Sequence, residues 1–105
     1  MIKDTNQLGL EISQPKVVTV GTTSIILSKA KNRSAIYIKN TSTTNQIINI
    51  VFSNTDVAVS LGAGFQLNVN ESIIDSDSGE YSCWTGAISG ISSAAGGTIV
   101  MYERI

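Results

Sequence analysis

Histidine is absent from this chain of 105 residues, and cysteine and proline each occur once. Without histidine, both the commonest general base and the commonest metal ligand are missing. Cys83 stands alone, so no internal disulfide can form. It also lacks a histidine to activate it as a nucleophile, and one thiol cannot supply the several ligands of a zinc site. Its expected role is that of a small buried hydrophobe. No phosphate-binding loop is present, and Gly62-Ala63-Gly64 lacks the strand–turn–helix setting of a dinucleotide site. The expectation is a protein that is not an enzyme, with no catalytic residues, no cofactor and no metal.

Charge is equally scarce. Only 14% of residues are charged, against about 25% in an ordinary globular protein. The net charge is −1, so the basic excess that accompanies binding to nucleic acid or to an anionic membrane is missing. No apolar run approaches the roughly 18 residues of a membrane span. Met1 to Leu10 shows neither the basic region nor the apolar stretch of a secretory signal, which points to synthesis in a reducing cytoplasm. The sequons at Asn32, Asn40 and Asn70 are then chance products of a chain rich in Asn and Ser.

What is present is β-branched. Ile, Val and Thr fill 33 positions while Leu fills five, and branching at Cβ favours a pleated sheet over a helix. Much of the remainder is Ser, Asn and Gly, which make turns. The length suits one domain. Residues 1–16, closed by Pro15, form a polar arm, and 17–105 form the domain. Strands are expected at Val17–Val20, Ser24–Leu27, Ala35–Lys39, Gln46–Phe52, Val57–Leu61 and from Phe65, where Phe65, Leu67 and Val69 face inward. Others are Ser72–Ile74, Tyr81–Ser89 and Thr98–Arg104, with a turn at Asp75–Gly79 and a flexible Gly-rich stretch at Gly90–Gly97. About eight short antiparallel strands imply a single-domain β-sandwich of jelly-roll type or a small barrel.

Three groups of residues are candidates for contact with a partner. In the arm, Leu8, Leu10 and Ile12 alternate, a pattern able to add a strand to a neighbour's edge. The strand Gln46–Phe52 is apolar on both faces, with Ile47 and Val51 opposite Ile48 and Ile50; such a strand is central or covered. Lys29, Lys31 and Arg33 lie at alternate positions and project together from an extended segment. They are opposite in sign to the acidic turn of Asp75, Asp77 and Glu80, so the basic cluster of one copy could meet the acidic turn of a neighbour and register assembly. That acidic turn has some raw material of a calcium loop, but its Gly comes one residue early and no distant Glu completes it. Trp84, Tyr81, Tyr37 and Tyr102 are candidate platforms for stacking on sugars; lying within apolar alternations, they fit a core or interface better.

The order of the pieces resembles a known class. Val17-Val18-Thr19-Val20-Gly21-Thr22 leads to the basic turn Asn32-Arg33-Ser34 and a strand ending in Asn40. Gly62-Ala63-Gly64-Phe65-Gln66-Leu67 and the acidic turn follow. The chain then runs through Trp84-Thr85-Gly86-Ala87-Ile88-Ser89-Gly90-Ile91 to Ile99-Val100-Met101-Tyr102-Glu103. Over residues 17–104 this is similar to the small β-sandwich proteins of tailed-bacteriophage particles, head decoration proteins and small tail components among them. The resemblance implies a virion protein, made in the host cytoplasm, that binds the major capsid protein or another virion protein and stabilises the assembled head. It also implies a homo-oligomer, with a trimer favoured. A tail or baseplate component and a carbohydrate-binding, receptor-recognising module are the alternatives.

Overall fold

A computed structural model describes residues 16–53 and 64–105. It is all-β among those residues: β1 Lys16–Val20, β2 Ile25–Ser28, β3 Ala35–Asn40, β4 Ile48–Ser53, β5 Phe65–Leu67, β6 Ser72–Ser76, β7 Ala87–Ser92 and β8 Gly97–Arg104. The arm residues Leu8, Leu10 and Ile12, and the strand expected at Val57–Leu61, lie outside the described residues.

The strands form two four-stranded sheets, ordered β1-β8-β3-β6 and β2-β7-β4-β5. Pairing is nested and antiparallel throughout: β1 with β8, β2 with β7, β3 with β6, β4 with β5. The further seams β3–β8 and β4–β7 complete the sheets. A long hairpin folded in half and rolled up in this way is a jelly roll, so the expected sandwich is the observed one.

Period-2 alternation explains which residues meet between the sheets. In β3, Ile36 and Ile38 are buried while Tyr37 and Lys39 turn outward. In β8, Ile99, Met101 and Glu103 face in, and Val100 and Tyr102 face out. Ile48, Ile50, Leu67 and Ile88 answer from the other sheet. Each fully buried Ile withdraws enough apolar surface to contribute about 2 kcal/mol.

Several expected boundaries move. Tyr81–Ser89 is not a continuous strand: β7 starts only at Ala87, and Trp84 sits in the preceding connection. Asp75 belongs to β6 rather than to a turn. Phe65 is on the inward side of β5 yet is 51% exposed, because β5 is an edge strand. The stretch Gly90–Gly97 is a loop only over residues 93–96. Gly90 is buried in β7, where a Cβ would stand 2.9 Å from Leu27 Cδ1. Gly97 opens β8, where a Cβ would meet Ser92 Oγ and Val20 O at 2.7 Å. These glycines permit close packing of strands rather than motion.

The nesting collects the connections at two ends. Connections 29–34 and 77–86 share one end with the last residues of β8. Connections 21–24, 41–47, 68–71 and 93–96 share the other, joined by bonds such as Ser92 N–H to Gly21 O at 2.8 Å and Asn70 N–H to Asn40 O at 2.8 Å.

Candidate interaction surface

The polar residues of the first end are used internally. Arg33 is 4% exposed, and each of its five N–H groups has an acceptor. Nε donates to Glu103 Oε2 at 2.9 Å. One terminal nitrogen donates to the carbonyls of Trp84 (2.8 Å) and Gly86 (3.0 Å), the other to Ser28 Oγ (2.9 Å) and the Lys29 carbonyl (2.8 Å). Lys31 Nζ adds a 3.2 Å contact to Glu103 Oε1. Burial by itself raises the pKa of the Glu103 carboxyl, but donation from Ser28, Arg33 and Lys31 outweighs it and holds the group below the ordinary glutamate value. The expectation that Lys29, Lys31 and Arg33 project together is therefore corrected. Arg33 turns inward because an inward carboxylate on β8 needs a partner, and only Lys29 and Lys31 keep a solvent-facing charge.

The acidic turn is similarly divided. Asp75 accepts the Tyr81 hydroxyl at 2.5 Å through Oδ1 and the Trp84 N–H at 2.8 Å through Oδ2, while Asp77 Oδ1 accepts the Cys83 N–H at 2.7 Å. The bond to Asp75 raises the Tyr81 pKa above its ordinary value. Burial, followed by the nearby Asp75 charge, pushes the Cys83 thiol up to about 11, so it stays protonated at neutral pH. Among the described residues, no three Cys, Asp or Glu side chains are grouped so as to hold a metal ion. Asp77 and Glu80 remain at the surface.

The two sheets differ on their outer faces. On β2-β7-β4-β5, Ile47 lies at the margin, 36% exposed, and Val51 is partly buried. Between them Asn49 is 1% exposed, and its neighbours Ser89 and Ile91 on β7 are 1% and 8% exposed. The centre of this face is thus withdrawn from solvent, and Ile47 and Val51 do not form an open apolar stripe.

The stripe lies instead on β1-β8-β3-β6. The register places Val17 beside Val100, and Tyr102 beside Tyr37 beside Ile74, all on the outer face. Val17 is 72% exposed and Ile74 71%. The Tyr37 and Tyr102 rings are tilted together with centroids 6.1 Å apart, a favourable edge-to-face type of contact. A groove of about 160 Å³ runs along them, lined also by Ala35 and Arg104. Around the β6 edge, a hollow of about 400 Å³ is bounded by Phe52, Phe65, Ile73, Ile74 and Tyr81. Of the four aromatics considered for sugar stacking, Tyr81 (56%) and Tyr102 (39%) are exposed. Trp84 is not: it stacks on Phe52 with centroids 6.0 Å apart and donates Nε1–H to the Ala87 carbonyl.

Two of these features escape a reading of the sequence. The Arg33–Glu103 pair spans 70 residues, and its one local sign is a carboxylate on the inward parity of Ile99 and Met101. The outer apolar stripe joins four strands that are distant in sequence. No protein family, curated protein or solved structure matches this chain.

Proposed function

We propose that the protein is a structural subunit of a tailed-bacteriophage particle, a decoration protein that binds the major capsid protein of the assembled head. The observation that carries this reading is the apolar stripe on the outer face of β1-β8-β3-β6. A small, weakly charged jelly roll presents Val17, Tyr37, Ile74, Val100 and Tyr102 across one sheet, while the polar groups around Arg33 are consumed internally. A contiguous exposed apolar patch of this kind marks a contact with another macromolecule. The fold alone does not select the function, since viral capsid, lectin and cupin domains share it; the sequence resemblance over 17–104 supplies the direction. The mechanism is mechanical. Binding that favours the closed lattice over free capsid subunits stabilises the head by mass action, and the low surface charge removes a repulsive barrier to close packing.

An antibody to the chain, applied to gradient-separated heads and tails from phage particles of the source strain, tests this. Signal with intact heads is expected. Signal confined to tails moves the subunit to the tail or baseplate, and absence from both overturns the virion assignment. The exposure of Tyr81 and Tyr102 favours a second reading, a glycan-binding module. Saturable binding on a glycan array that is lost in Tyr102→Ala would establish it.

A further inference from the structure

We propose that copies of this chain associate head to tail, the β6 edge of one copy pairing with the β1 edge of the next. The inference gives the proposed particle subunit its mode of self-association and rests on that reading only for its biological purpose. Three independent features of the surface point to it.

The first is strand direction. In β1-β8-β3-β6 every neighbour is antiparallel, so β1 and β6 are opposite edges that run in opposite directions. Setting β6 of one copy beside β1 of another continues the alternation without a break. Among the described residues no strand pairs with the outer side of either edge, and such a row of backbone donors and acceptors is a template that proteins ordinarily cover.

The second is side-chain exposure. Val17 on β1 and Ile74 on β6 are the two most exposed of the large hydrophobic side chains among the described residues, and both lie on the outer face. Placing Ile74 opposite Val17 sets Ile73 opposite Val18, Ser72 opposite Thr19 and Asp75 opposite Lys16. Apolar and opposite-charge cross-strand pairs of this kind each add about 0.2–1 kcal/mol to a sheet.

The third is charge. Beside β1, Lys16, Lys29 and Lys31 line a cleft of about 370 Å³ whose apolar wall is Ile26 and Leu27. Beyond β6, the connection 77–86 presents Asp77 and Glu80 with the exposed Tyr81. Lysine cleft and acidic turn share one end of the sandwich but lie on opposite edges. Within the sheet, three strand spacings, about 14 Å, separate the β1 edge that carries Lys16 from the β6 edge that carries Asp75, beyond the screening length of about 8 Å at physiological salt. Between adjacent copies they meet, with Tyr81 placed to cover Ile26. A contact of this head-to-tail kind closes a ring when its rotation divides the circle.

The test is solution mass by light scattering, over a range of concentrations, on the full chain and four variants. The wild type is expected as a multimer. Ile74→Lys, which places a charge on the edge, should give the single-chain mass. Lys29→Glu and Glu80→Lys should each weaken association about tenfold, within the range of coupling between charges in contact. The double variant Lys29→Glu/Glu80→Lys should recover it, since the reversed charges again oppose one another across a head-to-tail contact. These side chains are exposed, and an unchanged circular dichroism spectrum verifies folding. A single-chain mass for the wild type, a multimer that survives Ile74→Lys, or a double variant no better than its parents overturns the contact. A monomer found on virion heads sinks this inference alone, and a multimer absent from virions sinks the particle assignment alone.

Discussion

The two ends of the sandwich are closed by different chemistry. At the first, a buried guanidinium and carboxylate tie β8 to connections 29–34 and 77–86. At the second, neutral amides do the equivalent work: Asn40, 0% exposed, donates Nδ2–H to the carbonyls of Gln46 (2.9 Å) and Leu67 (2.8 Å) and accepts the Ser42 N–H at 3.0 Å. Gln46 reaches the Ala95 carbonyl at 3.1 Å. Both ends satisfy the backbone groups freed where strands stop. Only the first holds ions out of water, and losing one member of such a pair leaves a stranded charge. Equivalent topology therefore conceals unequal sensitivity.

Truncation should expose the inequality. Arg33→Ala leaves Glu103 with less compensation and orphans three carbonyls, so urea unfolding should show a loss of about 3–5 kcal/mol. Asn40→Ala removes a neutral group and leaves three backbone partners unsatisfied, and a smaller loss of about 2–3 kcal/mol is expected. Equal losses would mean that the ionic end is no more sensitive than the neutral one.

Acid should act through Glu103 at the ionic end. Glu103 takes up a proton less readily when folded than when unfolded, so its contribution to stability is present above the ordinary glutamate pKa. It is lost as the pH falls through the lowered folded value. Stability measured against pH should fall on the acid side, and the fall should be shallower in Glu103→Gln, which starts less stable at neutral pH. Asn40 does not titrate, so Asn40→Ala should parallel the wild type.

The smallest effect should be seen at the thiol. Cys83 is buried near the Arg33 end with its pKa raised, so labelling by a thiol reagent at neutral pH should be slow in the native protein. Arg33→Ala should speed it by loosening connection 77–86, whereas Asn40→Ala should leave it near the wild-type rate. Equal acceleration by both would show that labelling follows global unfolding.

The fold was legible because two-residue alternation reports facing directly. Ile36 and Ile38, or Ile99 and Met101, declare an inner face whatever strand they meet. Where small residues break the alternation, the pattern no longer reports the strand. Gly90-Ile91-Ser92 has the composition of a loop, yet β7 lies between β2 and β4, and a strand with neighbours on both sides and little exposure on either face tolerates Gly and Ser. The apolar residues around Trp84 suggest a strand, whereas it packs on the core from a connection.

The charged residues show the same divide. Spacing placed Lys29, Lys31 and Arg33 on one side, a rule that assumes an extended segment free of partners. Arg33 obeys instead a carboxylate 70 positions away, and Lys16 takes its place beside the other two lysines.

Composition and alternation by themselves determined that this chain is a β-sandwich with an Ile-rich interior, because burial of β-branched side chains at every second position is a local property of each strand. Tertiary structure alone decided which charges are spent inside and which edges and side chains remain for a partner. Those outcomes depend on strand order, which brings together residues that no local pattern relates.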